Sequence, residues 1–194
     1  MQAPLNTFMV DFEKPFNDEI ETKSGIKFYR DVTFNPENFA ATNGTVTALP
    51  RYNNRKMDIV IGDQIYFSYL VVYDMEIRDR DTPIHRNLLY HNEQNYWKVA
   101  NDQIYFRVRN NEMLMLNGYF MLGIVEEEIK SSIVIPEYLK KQKLIGRARV
   151  VKGSDDKVAE FGDLIFFDRR FVEVYDIFGK EIYILGKDRI LGKL

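Results

Sequence analysis

The chain has 194 residues, 45% of them hydrophobic and 14% aromatic, with a formal charge of −2 at neutral pH and no cysteine. That length holds one large domain or two small ones, and the composition suffices for packed cores. The missing thiols exclude disulfide or thiolate-metal staples, and the near-zero charge supplies no general attraction to nucleic acid or an anionic membrane.

The opening MQAPLNTFMV has neither the basic start nor the apolar run of a signal peptide, and no apolar stretch approaches about 18 residues, so a soluble cytoplasmic protein is expected. Leu5-Asn6-Thr7-Phe8-Met9-Val10 reads as a short strand at a turn-forming Asn, and Leu116-Asn117-Gly118-Tyr119-Phe120-Met121-Leu122 repeats it. An acidic stretch follows each, Asp18-Glu19-Ile20-Glu21 and Glu126-Glu127-Glu128-Ile129, and each runs into Lys-Ser. Next come Gly25-Ile26-Lys27-Phe28 in the first copy and Ser132-Ile133-Val134-Ile135-Pro136 in the second. Tyr29 to Asn43, with its Asn-Pro and Thr-Asn-Gly elements, reads as a long loop, and the second copy crosses the same gap with Glu137 to Ile145. Both gaps close on a glycine that opens an alternating strand, Gly44-Thr-Val46-Thr-Ala48 and Gly146-Arg-Ala148-Arg-Val150.

The strongest internal match comes next, Val60-Ile-Gly62-Asp63-Gln-Ile65-Tyr-Phe67 against Phe161-Gly162-Asp163-Leu-Ile165-Phe-Phe167. In each, glycine supplies an open φ and aspartate bonds nearby backbone N–H groups at a tight turn into a buried strand. One Gly-Asp is a weak motif, but landmarks repeated in fixed order mark a duplicated chain. Further on, Tyr69 to Asp74 matches Arg170 to Asp176, and Asp102 to Phe106 matches Lys180 to Ile184, as the two strands of a hairpin. Ile177-Phe-Gly179 is its turn in the second copy. In the first copy this connection carries a polar insertion, about 75–97, holding both histidines and expected to be exposed. No window sustains a helical period, so the expected class is all-β. The expected division is 1–112, with a loop over about 24–43, and 113–194, with a loop over about 130–145.

In the order of these landmarks the second copy resembles the co-chaperonins of the GroES family, through Leu116-Asn117, Ile133-Val134-Ile135, Gly146, Phe161 to Phe167 and Asp188-Arg-Ile190-Leu191. The first copy matches through Pro4-Leu5, Ile26-Lys27-Phe28, Gly44 and Ile61-Gly62-Asp63, with Lys27 and the insertion as departures. The resemblance implies two tandem small β-barrels, self-association into a ring, and no catalytic activity or cofactor. It implies binding to the nucleotide-loaded rim of a GroEL-type chaperonin, through Ile133, Val134 and Ile135 in one mobile loop and Ile26 and Phe28 in the other. Similarly divergent co-chaperonins are carried by bacteriophages, which implies action in a host cytoplasm. Weak anchors multiplied around a ring give tight but reversible capping. The connections 50–56 and 152–157 are too short for the family's roof hairpin, which implies an open dome.

Other readings are plainer. Gly62, Asp63, Gly162 and Asp163 are turn chemistry. The basic run Lys140, Lys141, Lys143, Arg147, Arg149 and Lys152 is a solvated face rather than a nucleic-acid track, given a pI near 5.8. His85 and His91, with Asp79 and Asp81 nearby, have no metal-ligand spacing. No nucleophile elbow or phosphate-cradling loop is present. The competing reading is a structural, oligomeric protein, of a phage particle for example, whose barrel edges pair between subunits without any chaperonin.

Overall fold

The computed structural model describes residues 3–4, 6–29, 36–52, 57–73, 75–79, 82–91, 94–124, 145–154 and 157–193. The protein is all-β, and every paired strand is antiparallel. It divides into two compact units, Met1–Met113 and Leu114–Leu194.

The first unit holds β1 (Thr7–Asp11), β2 (Glu19–Glu21), β3 (Lys27–Tyr29), the helical turn α1 (Pro36–Phe39), β4 (Asn43–Ala48) and β5 (Gln64–Phe67). It continues through α2 (Leu70–Tyr73), β6 (Met75–Asp79), β7 (Thr82–His85), β8 (Leu88–His91), β9 (Gln94–Ala100), a 3₁₀ turn (Asn101–Gln103) and β10 (Ile104–Arg109); β11 (Glu112–Met115) runs across the boundary. The second holds β12 (Tyr119–Ile124), β13 (Ile145–Gly153), β14 (Leu164–Asp168), a 3₁₀ turn (Arg169–Phe171), β15 (Glu173–Ile177), β16 (Lys180–Gly186), a 3₁₀ turn (Lys187–Arg189) and β17 (Ile190–Lys193).

The larger sheet runs β8-β9-β1-β4-β5-β10-β11 and the other β15-β16-β12-β13-β14-β17. The second order repeats the first strand for strand, except that β11 has no counterpart. Registers agree as well. Val10 faces Trp97 and Val46, as Leu122 faces Tyr183 and Val150, and an irregularity falls at Met9/Val10 and again at Met121/Leu122. The Gly-Asp turns match bond for bond. Gly62 N–H donates to Val46 O at 2.8 Å, as Gly162 N–H does to Val150 O, and Val46 and Val150 N–H donate to Asp63 and Asp163 O, both at 2.9 Å. Gly62 and Gly162 have φ of 93° and 89°, a region open to glycine.

In the second unit alternation puts apolar side chains on one face of the sheet, whereas in the first β1, β5 and β10 are buried at consecutive residues, on both faces. In the second unit Phe120, Leu122, Val150, Ala159, Ile165 and Phe167 form one buried cluster. Their counterparts Phe8, Val10, Val46, Ile59, Ile65 and Phe67 are buried too.

Several expectations are corrected. Neither sheet order closes on itself among the described residues: each is open, with β8 and β11 or β15 and β17 outermost. The expected equivalence of Gly44 and Gly146 is wrong by two residues, since Gly44 faces Ile65 while Ala148 faces Ile165 and Gly146 faces Phe167. Both glycines read as strand openers because both make room. A Cβ on Gly44 would lie 2.5 Å from Val10 Cγ1, and one on Gly146 2.6 Å from the Phe167 ring.

Leu70–Tyr73 is helical rather than a strand, with Val71 and Val72 buried, because its apolar run packs as a single turn. The 3₁₀ turn and strand at Asn101–Arg109 correspond to Lys187–Lys193, not to Lys180–Ile184: Ile104 faces Phe67 as Ile190 faces Phe167. The hairpin matching β15–β16 is therefore β8–β9, and within the supposed insertion the element with no described counterpart in the second unit is the β6–β7 hairpin, Met75 to His85. Within the supposed exposed insertion Trp97 is 3% exposed. It stacks on Phe12 at 5.1 Å and meets the His85 ring edge-on at 5.3 Å.

Candidate partner-binding hairpin

Of the two predicted anchors, Ile133, Val134 and Ile135 lie outside the described residues. Ile26 and Phe28 lie on an ordered two-stranded hairpin. β2 and β3 pair with Ile20 opposite Phe28 and Glu21 opposite Lys27. The turn is built from Thr22 to Gly25: Gly25 has φ 81°, its N–H donates to Thr22 O at 2.9 Å, and Ile26 N–H donates to Thr22 Oγ1 at 3.1 Å. The Lys-Ser-Gly signature taken as the start of a loop is thus the tip of this hairpin.

Alternation sorts the hairpin into two faces. Glu19, Glu21, Lys27 and Tyr29 share one, where Glu19 Oε2 accepts from Lys14 Nζ at 3.0 Å and Lys27 Nζ at 3.4 Å. Those lysines hold the Glu19 carboxyl below the usual carboxylate range, the Lys14 hydrogen bond contributing most. Ile20, Ile26 and Phe28 share the other face and are 39%, 56% and 53% exposed. Lys27 points to the charged side. The hairpin is tethered at its base: Asn17 N–H donates to Phe39 O and Ala41 N–H to Pro15 O, both at 2.8 Å, around a Phe16–Ala40 bridge.

Asp63 and Asp163 prove to be turn clamps. Val60 N–H donates to Asp63 Oδ2 at 2.8 Å, and Glu160 N–H to Asp163 Oδ2 at 2.9 Å. In the first unit Asp63, 1% exposed, also takes a bidentate pair from Arg109, Nε at 2.6 Å and Nη2 at 2.7 Å. Burial pushes the Asp63 carboxyl up, but the Arg109 pair and the Val60 N–H outweigh it and hold it below its ordinary range. Asp58 bridges Arg107 and Arg109 and is lowered chiefly by the Arg107 hydrogen bond. Sequence reading missed this cluster, since Arg107 and Arg109 alternate with apolar residues as any half-exposed strand would.

His85 Nδ1 lies 2.9 Å from Val72 O. Only the backbone pairing of His91 with Gln94 is described. No group of three or more His, Cys, Asp and Glu side chains suited to a metal occurs among the described residues. No helix there is long and apolar enough to cross a membrane. Compared with known proteins, the chain matches no family model and no curated sequence.

Proposed function

We propose that the protein is a co-chaperonin built from two tandem GroES-like domains, which caps a nucleotide-bound GroEL-type chaperonin and assists folding. The observation that carries this reading is the uncovered apolar face of Ile20, Ile26 and Phe28 on a narrow hairpin, with Ile26 and Phe28 at the positions the resemblance assigns to a chaperonin anchor. The repeated sheet order and twin Gly-Asp turns support the tandem domain arrangement. A two-stranded hairpin has too few contacts to cover its own apolar side, and a face that small binds weakly unless several act together. Ile133, Val134 and Ile135 are the proposed second anchor.

The test is ATP-dependent retention of the full chain on an immobilised chaperonin double ring. Retention of the intact protein, and at least tenfold less with Phe28→Asp, is expected. No retention of the intact chain removes the capping role; equal retention of Phe28→Asp and of Ile133→Asp removes the anchors. The second reading, an oligomeric structural protein, is favoured by the open outer strands of both sheets. A chain that assembles with itself but is never held by the chaperonin would select it.

A further inference from the structure

At one end of the sheet the two repeats share a frame but not its charges. Both copies leave the Gly-Asp strand through the same tight turn, in which Val72 N–H donates to Tyr69 O at 3.1 Å and Val172 N–H to Arg169 O at 3.4 Å. Both enter the neighbouring strand through a 3₁₀ turn, Asn101–Gln103 before β10 and Lys187–Arg189 before β17. The first copy has no cation in either turn: Tyr69, Leu70 and Gln103 stand where the second has Arg169, Arg170 and Arg189. The turns therefore form without the arginines. Arg170 is committed, its Nε lying 3.0 Å from Asp168 Oδ1 and its Nη2 2.5 Å from Oδ2. Arg189 instead lies 3.9 Å over the ring of Phe171, which is 40% exposed where its counterpart Val71 is buried. Arg169 is held by its stem, since a Cβ on Gly146 would meet its Cγ at 3.0 Å. Neither of these two guanidiniums has a hydrogen-bond acceptor among the described residues. The Asp168 carboxyl, held low first by the Arg170 hydrogen bond, also feels the Arg189 charge, so both turns belong to one electrostatic neighbourhood.

We propose that this end of the second unit docks an acidic peptide segment of a partner protein, whose carboxylates pair with Arg189 and Arg169. Stacking on an aromatic ring fixes the plane of a guanidinium and leaves its N–H edges open, the arrangement that pairs bidentately with a planar carboxylate. Side chains already held in place lose less freedom on binding, so more of the pairing energy is kept. Two observations favour an acidic peptide over a nucleic-acid strand. Arg189 covers a face of the Phe171 ring that a base would need for stacking. Asp168, Asp188 and a formal chain charge of −2 oppose a continuous polyanion, whereas a few spaced carboxylates can meet the open guanidiniums alone. The site goes beyond the capping reading and does not rest on it, because the face of Ile20, Ile26 and Phe28 takes no part.

Fluorescence anisotropy of a labelled hexaglutamate peptide, titrated with the full chain, tests it. Saturable binding at low salt, weakening as salt is added, is expected. The Arg169→Gln/Arg189→Gln protein should bind about tenfold more weakly, the scale of losing one charged hydrogen-bonded pair. Both arginines are exposed, so its far-ultraviolet circular dichroism spectrum should match that of the intact chain. Lys157→Gln/Lys180→Gln removes two exposed charges away from these turns and should bind as the intact protein does. An intact chain that does not bind the peptide, or a double arginine variant that binds as tightly as the intact chain, overturns the proposal. An equal loss in the lysine variant would mean general charge attraction and overturns it too. Labelled oligothymidylate is the second probe: tighter binding than the peptide, lost in the arginine variant, would assign these residues to nucleic acid and sink the acidic-peptide site.

Discussion

Single side chains hold the turns that shape both units. Asp63 accepts the Val60 N–H and the Arg109 guanidinium inside the protein, so an amide there sets an NH2 donor against one of those donors. Asp63→Asn should lower stability by about 2 kcal/mol, within the usual cost of leaving a buried polar group poorly satisfied, read as a shift of the urea midpoint. Gly44→Ala should cost about 2 kcal/mol as an overpacking change, because the new methyl meets Val10 Cγ1 and the Asp11 carbonyl. Ala148 occupies the equivalent place in the second unit without difficulty, so an unaffected Gly44→Ala protein would mean that β1 yields more easily than its packing indicates. Phe178 works in the other direction. With Phe178 at φ 56° and Gly179 at φ 71°, the β15–β16 turn takes a conformation that favours Asn-Gly, yet it carries a bulky, 60% exposed ring. Phe178→Asn should raise stability by about 1 kcal/mol, the scale of left-handed strain in a side-chain-bearing residue.

At the scale of elements, the β2–β3 hairpin contrasts with the sheets. Its ion pairs are exposed and contribute little, its apolar face is exposed, and among the described residues it is held to the unit by a few backbone bonds at the base. Its amides should therefore exchange with solvent long before those of β1, β4 and β5, as low-contact segments do; equal protection would mean that the hairpin is covered in solution. For the same reason Phe28→Asp should change folding stability by less than about 0.5 kcal/mol, as exposed substitutions do, so that any loss of chaperonin binding reports the contact and not the fold.

Across the whole molecule, carboxylates in both units are held below their ordinary range. They include Asp58 and Asp63 by arginines, Glu19 by Lys14, Asp163 first by the Glu160 N–H and then Lys193, and Asp168 by Arg170, down to about 2. A carboxylate whose pKa is lower in the folded than in the unfolded chain contributes stability that is fully present above the unfolded value of about 4. That contribution is lost as pH falls through the folded value. The melting temperature should thus hold steady from pH 7 to 5 and fall below about pH 4, down to the range of Asp168 near 2. A fall already under way between pH 7 and 5 would place the dominant titration elsewhere.

Much of this was legible in one dimension. The all-β class followed from strand-length alternation and turn residues, and both Gly-Asp turns followed from a local rule that needs only neighbouring atoms. The pair Ile26 and Phe28 could be singled out because it follows Lys-Ser, as Ile133-Val134-Ile135 does in the second copy. Equivalence between distant strands could not be read, because it depends on register. Gly44 was matched to Gly146 by residue type, while hydrogen bonding across β4 and β5 aligns it with Ala148. Trp97, called part of an exposed insertion from its polar neighbours, is buried because β9 pairs with β1 and brings it onto Phe12. Short-range turn chemistry is written in adjacent residues. Pairing partners, the Asp58–Arg107–Arg109–Asp63 cluster and the stacking of Arg189 on Phe171 exist only once separate strands lie side by side.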